Sequence, residues 1–286
     1  MAWSARRWKR FYERERAALG PAGLEERLAE ANRVEIPASA ALVFPHTRLS
    51  SSGRLAAAAA QAVLRSGADT VLALGVLHRA REQDAALVEA ARRGEPGARA
   101  ALRRVHGPGV PGDAGHWTEE FSLDGFEALL VLAARREGRP PPRVIARYPF
   151  LVGSDPAELP GLDELVRLRE AGAVVVATAD PVHHGAGYGT PGPERLDDSD
   201  PRTLATARGW VETAFARLAA ADLSGFIEQS TRVRSDFRDT GPVLRALLGS
   251  GPVQAGVHEL QLVDYSDVLS APRPTWVAGA LATFGG

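Results

Sequence analysis

Two hydrophobic patterns alternate along this chain. Short apolar runs read as strands: Ala41 to Phe44, Thr70 to Leu77, Val144 to Val152, Ala173 to Ala179, Val257 to Val263 and Trp276 to Phe284. The run from Ala173 is apolar at successive positions with a β-branched centre, the pattern of a strand buried on both faces. Stretches with apolar residues three and four apart predict helices over 54–65, 81–104, 122–136, 162–171, 203–219, 222–229 and 241–248, with turns at Gly67 and Gly172. Residues 1–35 mix Trp3, Trp8, Phe11 and Tyr12 with arginine and glutamate, and Gly20-Pro21 interrupts them. They predict an amphipathic helical segment. A helix packed on the domain, with a charged outer face, is favoured over a partner or membrane-surface helix. The alternation of strands and helices predicts an α/β fold. Residues 36–286 form a single domain with a mixed, mainly parallel β-sheet flanked by helices.

The chemistry suggested by this pattern comes from histidine. His46 and His78 each follow the end of an apolar run, and His183 follows Ala179 through Asp180-Pro181-Val182. Parallel strands present their C-terminal ends along one edge, where open α/β sheets bind ligands. Two imidazoles and a carboxylate suit non-haem Fe(II), and zinc accepts similar donors, so spacing alone leaves the metal open. A Gly/Pro-rich loop from His106 to Gly115 leads into His116-Trp117-Thr118-Glu119-Glu120. His116 and Glu120 are therefore further candidates. Gly185-Ala-Gly-Tyr-Gly189 is followed by Pro191 and Pro193 rather than a helix, and reads as a flexible loop.

Composition narrows the classes. The 286 residues are 45% hydrophobic and 24% charged with a net charge of -1, so no global field draws the chain to nucleic acid or anionic membrane. The absence of cysteine removes disulfides, thiolate metal sites and cysteine nucleophiles. Lys9 is the only lysine, which argues against Schiff-base chemistry and a Walker-type loop. No secretory h-region follows the basic N-terminus and no segment has the length and apolarity of a membrane span, so a cytoplasmic protein is expected.

Several short motifs then fall into a familiar order. Phe44-Pro45-His46, the alanine-rich helix, Asp69-Thr70-Val71 and Leu74-Gly75 through His78 resemble the opening of the Memo family. Glu120-Phe121-Ser122-Leu123-Asp124 resembles its E-H-S-x-E segment, and Ala179 through Gly185 its S-x-D-x-x-H-[YW]-G segment. Thr240-Gly241-Pro242-Val243 and Trp276-Val277-Ala278-Gly279-Ala280-Leu281 resemble its late motifs. The chain is similar to a diverged Memo-like protein of the AmmeMemoRadiSam system protein B type. The fold this implies is that of the class III extradiol ring-cleavage dioxygenases.

The resemblance implies that His46 and His78 are metal ligands and that His183 does acid/base or substrate-binding work. It implies Fe(II) as cofactor, with zinc or copper as alternatives, and a small oxygenated substrate, aromatic ones included, with dioxygen as partners. A homo-oligomer is compatible with it. The family's late cysteine or glutamate has no plain counterpart here. Asp267 is taken as the third ligand, and Asp264, Glu259, His258 and His116 stay open. Thr47-Arg48-Leu49 and Phe121 depart from the family pattern. Two other readings remain: a non-catalytic metal-binding or scaffold protein with residues 1–35 as docking element, and a zinc-dependent hydrolase.

Overall fold

A computed structural model describes residues 3–37, 39–78, 85–111, 113 and 115–285, with the backbone alone at Arg92 and His116. The four residues of β1 (Ala41–Phe44) are all buried, as expected for an unbroken apolar run. Helix α2 (Leu49–Ser66) follows and ends at Gly67, which takes the left-handed conformation at φ 72°. Strand β2 (Thr70–Leu74) lies parallel to β1 but not beside it. Strand β5 (Val174–Thr178) runs between them, parallel to both. On the far side of β2 stands β4 (Arg143–Phe150), also parallel, and β3 (Arg104–His106) pairs antiparallel at its edge.

The other half of the sheet is built on β8 (Thr275–Gly285). It runs antiparallel to β1, to β6 (Val182–Gly185) and, along its whole length, to β7 (Gln254–Asp264). Strands β1, β2, β4, β5, β6 and β7 thus point one way and β3 and β8 the other. The result is a mixed, mostly parallel eight-stranded sheet.

Helices cover both faces. Helix α2 and α5 (Asp124–Arg136) bury their apolar sides on one, together with α3 (Ala85–Arg92) and α4 (Pro96–Leu102). On the other lie α6 (Leu162–Glu170), α7 (Pro201–Ala219), α8 (Leu223–Arg232) and α9 (Thr240–Leu247). A single turn, α10 (Ser266–Leu269), joins β7 to β8. Among the described residues, no helix is long and apolar enough to cross a membrane.

Helix α1 (Ala5–Glu30) bends at Gly20 (φ 59°) ahead of Pro21, where the sequence breaks. Its aromatic side is engaged by the domain. Trp8 packs with Val263, Tyr265 and Val277, and the Tyr12 ring stacks on Phe121 at 4.9 Å. The Glu15 carboxylate accepts the amides of Leu49 (3.0 Å) and Ser50 (3.2 Å), supplying the helix cap that Arg48 does not provide. This is why α2 begins five residues before the predicted 54.

Other boundaries also moved for tertiary reasons. Strand β2 stops at Leu74 rather than Leu77. Beyond it Ser122 Oγ accepts from Val76 N (3.1 Å), and a Cβ on Gly75 would collide with the Tyr148 ring. The helix predicted over 81–104 is two helices separated at Gly94 and Pro96, and its first residues lie outside the described ones. Val182-His183-His184-Gly185, read as the continuation past a strand, is itself the strand β6.

Candidate metal centre

The order β2-β5-β1 brings three connections to one edge. His78 lies beyond β2, Asp180 beyond β5 and His46 beyond β1. The His46 amide donates to Asp180 Oδ1 (3.1 Å), and its ring Nδ1 lies 3.0 Å from Thr178 Oγ1. His78 Nδ1 lies 2.9 Å from Glu120 Oε2, and its ring stacks on Phe121 with centroids 4.5 Å apart. The His46 and His78 rings meet edge to face at 5.3 Å. His183 arrives from β6, its Nδ1 2.8 Å from the Arg234 carbonyl oxygen.

These contacts define the imidazoles. A carbonyl oxygen only accepts, so His183 carries its proton on Nδ1. The Glu120 carboxylate selects the same form of His78. In both, Nε2 is left as a lone-pair donor. A ring nitrogen held by an outer partner is the arrangement that orients histidine toward a metal.

A fourth residue, Asp236, comes from an unpredicted place. Helix α8 ends at Arg232, and Arg234 then adopts a left-handed conformation at φ 58°. That turn sends the Arg234 carbonyl to His183 and returns the chain toward the end of β5. The Asp180 amide donates to Asp236 Oδ1 at 2.8 Å. Asp236 Oδ2 is buried 3.2 Å from His46 Nε2, yet makes no aligned hydrogen bond among the described residues. A buried carboxylate is costly unless a cation meets it, and here the His46 ring is that partner.

Two overlapping groups have donor atoms within 4.8 Å of one another: His46, His78 and Asp236, and Asp180, His183 and Asp236. Charge is concentrated there. Burial lowers the pKa of His46, but Asp180 and then Asp236 outweigh it and raise the value to about 9. Burial raises Asp180 to about 7; His46 opposes this and the like charge of Asp236 adds to it. Burial would raise Asp236 too, but His46 reverses the effect and holds it anionic. Burial pushes His183 down to about 4, so its imidazole is neutral near pH 7. A proton on His46, set between two carboxylates, does the work that a divalent ion would do in its place.

The structure therefore brings together three sequence-predicted residues, His46, His78 and His183, with Glu120 behind His78. It does not bring Asp267 to this group. Asp267 is exposed on α10, because β7 continues to Asp264 and the chain turns outward there. Asp264 pairs with Arg273, Glu259 with Arg54, and His258 with Thr283. The side chain of His116 lies outside the described residues; its backbone opens a 3-10 turn, His116–Glu119. His106 pairs with Asp113, and His184 stacks on Trp276 while its Nε2 accepts from the Leu196 amide (2.8 Å). The sequence signal for Asp236 was weak: an acid in the connector just ahead of the Thr240-Gly241-Pro242 helix start.

Glu120 is buried and holds His78 from behind. Glu120→Gln should weaken divalent-metal binding by roughly 10–100-fold, read by competitive chelator titration, with little change in the melting temperature of the metal-free protein. No family model matches the chain, and no curated protein matches it in sequence.

Proposed function

We propose that this protein is a metal-dependent oxygenase of the Memo and extradiol-dioxygenase type, and that its sheet is a diverged form of that fold. The observation that carries the reading is the buried Asp236 carboxylate, with donor atoms within 4.8 Å of His46 and His78 on one side and of Asp180 and His183 on the other, beside imidazoles whose Nδ1 atoms are already held. His46, His78 and Asp236 would hold the ion. Two imidazoles and one carboxylate suit Fe(II) and leave positions open. Bound there, Fe(II) would supply a place where dioxygen and an oxygenated, aromatic substrate meet.

The chain's own residues would do the rest. His183, neutral and grouped with Asp180 and Asp236, would take a proton from a substrate hydroxyl and return it later. The Arg234 carbonyl keeps the accepting nitrogen in place by holding Nδ1–H. Phe121 fixes the plane of His78 by stacking, and Tyr188 packs edge-on against His183 at 4.9 Å. The scaffold reading with α1 as docking element has less support, since the aromatic side of α1 is packed on Tyr265 and Phe121.

Oxygen uptake with catechols and aminophenols tests the proposal, comparing protein loaded with Fe(II) and with zinc. Uptake should require Fe(II), and His183→Gln should slow it by roughly 10²- to 10⁴-fold with the metal retained. Equal turnover with zinc and no oxygen consumption would instead favour the hydrolase reading.

A further inference from the structure

A second concavity lies along the same sheet edge. Strand β4 runs parallel to β2 and ends at Phe150, so the space at its end opens on the side where β2 delivers His78. The cavity measures about 450 Å³, within the usual range for small-ligand sites. Its floor is apolar, from Val88, Phe150, Val152 and Ile227, and the polar side chains among its described lining are Arg99, Thr231, Arg238 and Asp239.

Two features mark it as built. Val152 has φ 48°, a left-handed conformation that a β-branched residue rarely adopts. Asp239 Oδ1 holds it there by accepting the amides of Leu151 (3.1 Å) and Val152 (2.8 Å). Asp239 belongs to the connector that also places Asp236 in the metal centre, so one segment shapes both. The positive charge in the wall that a ligand would use is that of Arg99 alone. Arg99 Nε donates to Ala91 O (3.0 Å), and among the described residues its Nη atoms meet no carboxylate.

We propose that this cavity binds a small apolar carboxylate, an aryl- or alkyl-carboxylic acid. Its body lies on Phe150, Val152 and Ile227, and its carboxylate on Arg99. Only the further step, that this acid is a substrate of the neighbouring centre, rests on the metal reading; the binding does not.

The probes are 4-phenylbutyrate and its neutral counterpart 4-phenylbutan-1-ol, measured by calorimetry on the full chain in excess chelator. Wild type should bind the acid at least about tenfold more tightly than the alcohol, the scale of a hydrogen bond to a charged group. Arg99→Met should erase that preference while leaving alcohol binding intact. Ile227→Trp should remove binding of both. Equal affinity for acid and alcohol in wild type, or undiminished acid binding in Ile227→Trp, overturns the proposal. Acid binding that persists in His46→Ala/His78→Ala separates this site from the metal centre, so failure of one reading is not mistaken for failure of the other.

Discussion

In Asp236→Asn, divalent-ion affinity should fall by about 100-fold or more. Outer partners that merely orient a ligand are worth roughly 10–100-fold, and a charged ligand should be worth no less. Asparagine keeps the oxygen that accepts the Asp180 amide, so the link between the end of β5 and the connector after α8 survives. What is lost is the charge beside His46 and the oxygen that pairs with its Nε2. In chelator the variant should melt below the wild-type temperature, because the buried His46 imidazolium loses one of its two carboxylate partners. In metal at about 100 times the dissociation constant, wild type should gain roughly 2.7 kcal/mol and the variant almost nothing. Asp267→Asn should behave as wild type throughout, since Asp267 is exposed on α10. Chelator competition and thermal melts of the three proteins check this. Full affinity in Asp236→Asn with loss in Asp267→Asn would restore the sequence-based assignment.

Gly185→Ala should be the most destabilising single methyl in the molecule's site region. Gly185 ends β6 at φ 100° and ψ -169°, a conformation open essentially to glycine alone. A Cβ there would also fall on the carbonyl of Pro274, whose oxygen already accepts the Ala186 amide (2.9 Å). Because the obstruction is backbone, no rotamer relieves it. Backbone strain of about 1–3 kcal/mol and overpacking of a similar size act together. A cost of about 4 kcal/mol is expected, and a melting temperature lower by about 7 °C for a chain of this length. Metal affinity should fall with it, since His183 is two residues away on the same short strand. Gly189→Ala is the control: φ is 74° but nothing lies within 4 Å of an added Cβ, so only the conformational part applies. Equal melting of the two variants would show that contact with Pro274 is not the cause.

The parts of this site that could be read from sequence share one property: local pattern sets them. His46 and His78 follow apolar runs, and those runs become β1 and β2 with β5 between them. His183 sits in a short stretch with a recognisable order of residues. Asp236 was hidden because its place depends on a hydrogen bond to a residue 56 positions earlier and on the left-handed turn at Arg234. Nothing in the composition of residues 233–240 announces either.

Asp267 looked plausible because the chain near it was expected to stay by the sheet edge, whereas β7 follows β8 to Asp264 and then turns out. The early start of α2 was hidden for the same kind of reason, since its cap is supplied by Glu15 from another helix. Strand β6 was hidden by its polar sequence; the antiparallel partner β8 makes it a strand.

The strand-end histidines and Asp236 are proposed to form a metal centre. Metal content per chain, measured by mass spectrometry after Fe(II) reconstitution and desalting, tests it most directly in wild type and in His46→Ala/His78→Ala. Wild type should carry about one ion per chain and the double variant close to none. Equal metal in the two proteins would contradict it.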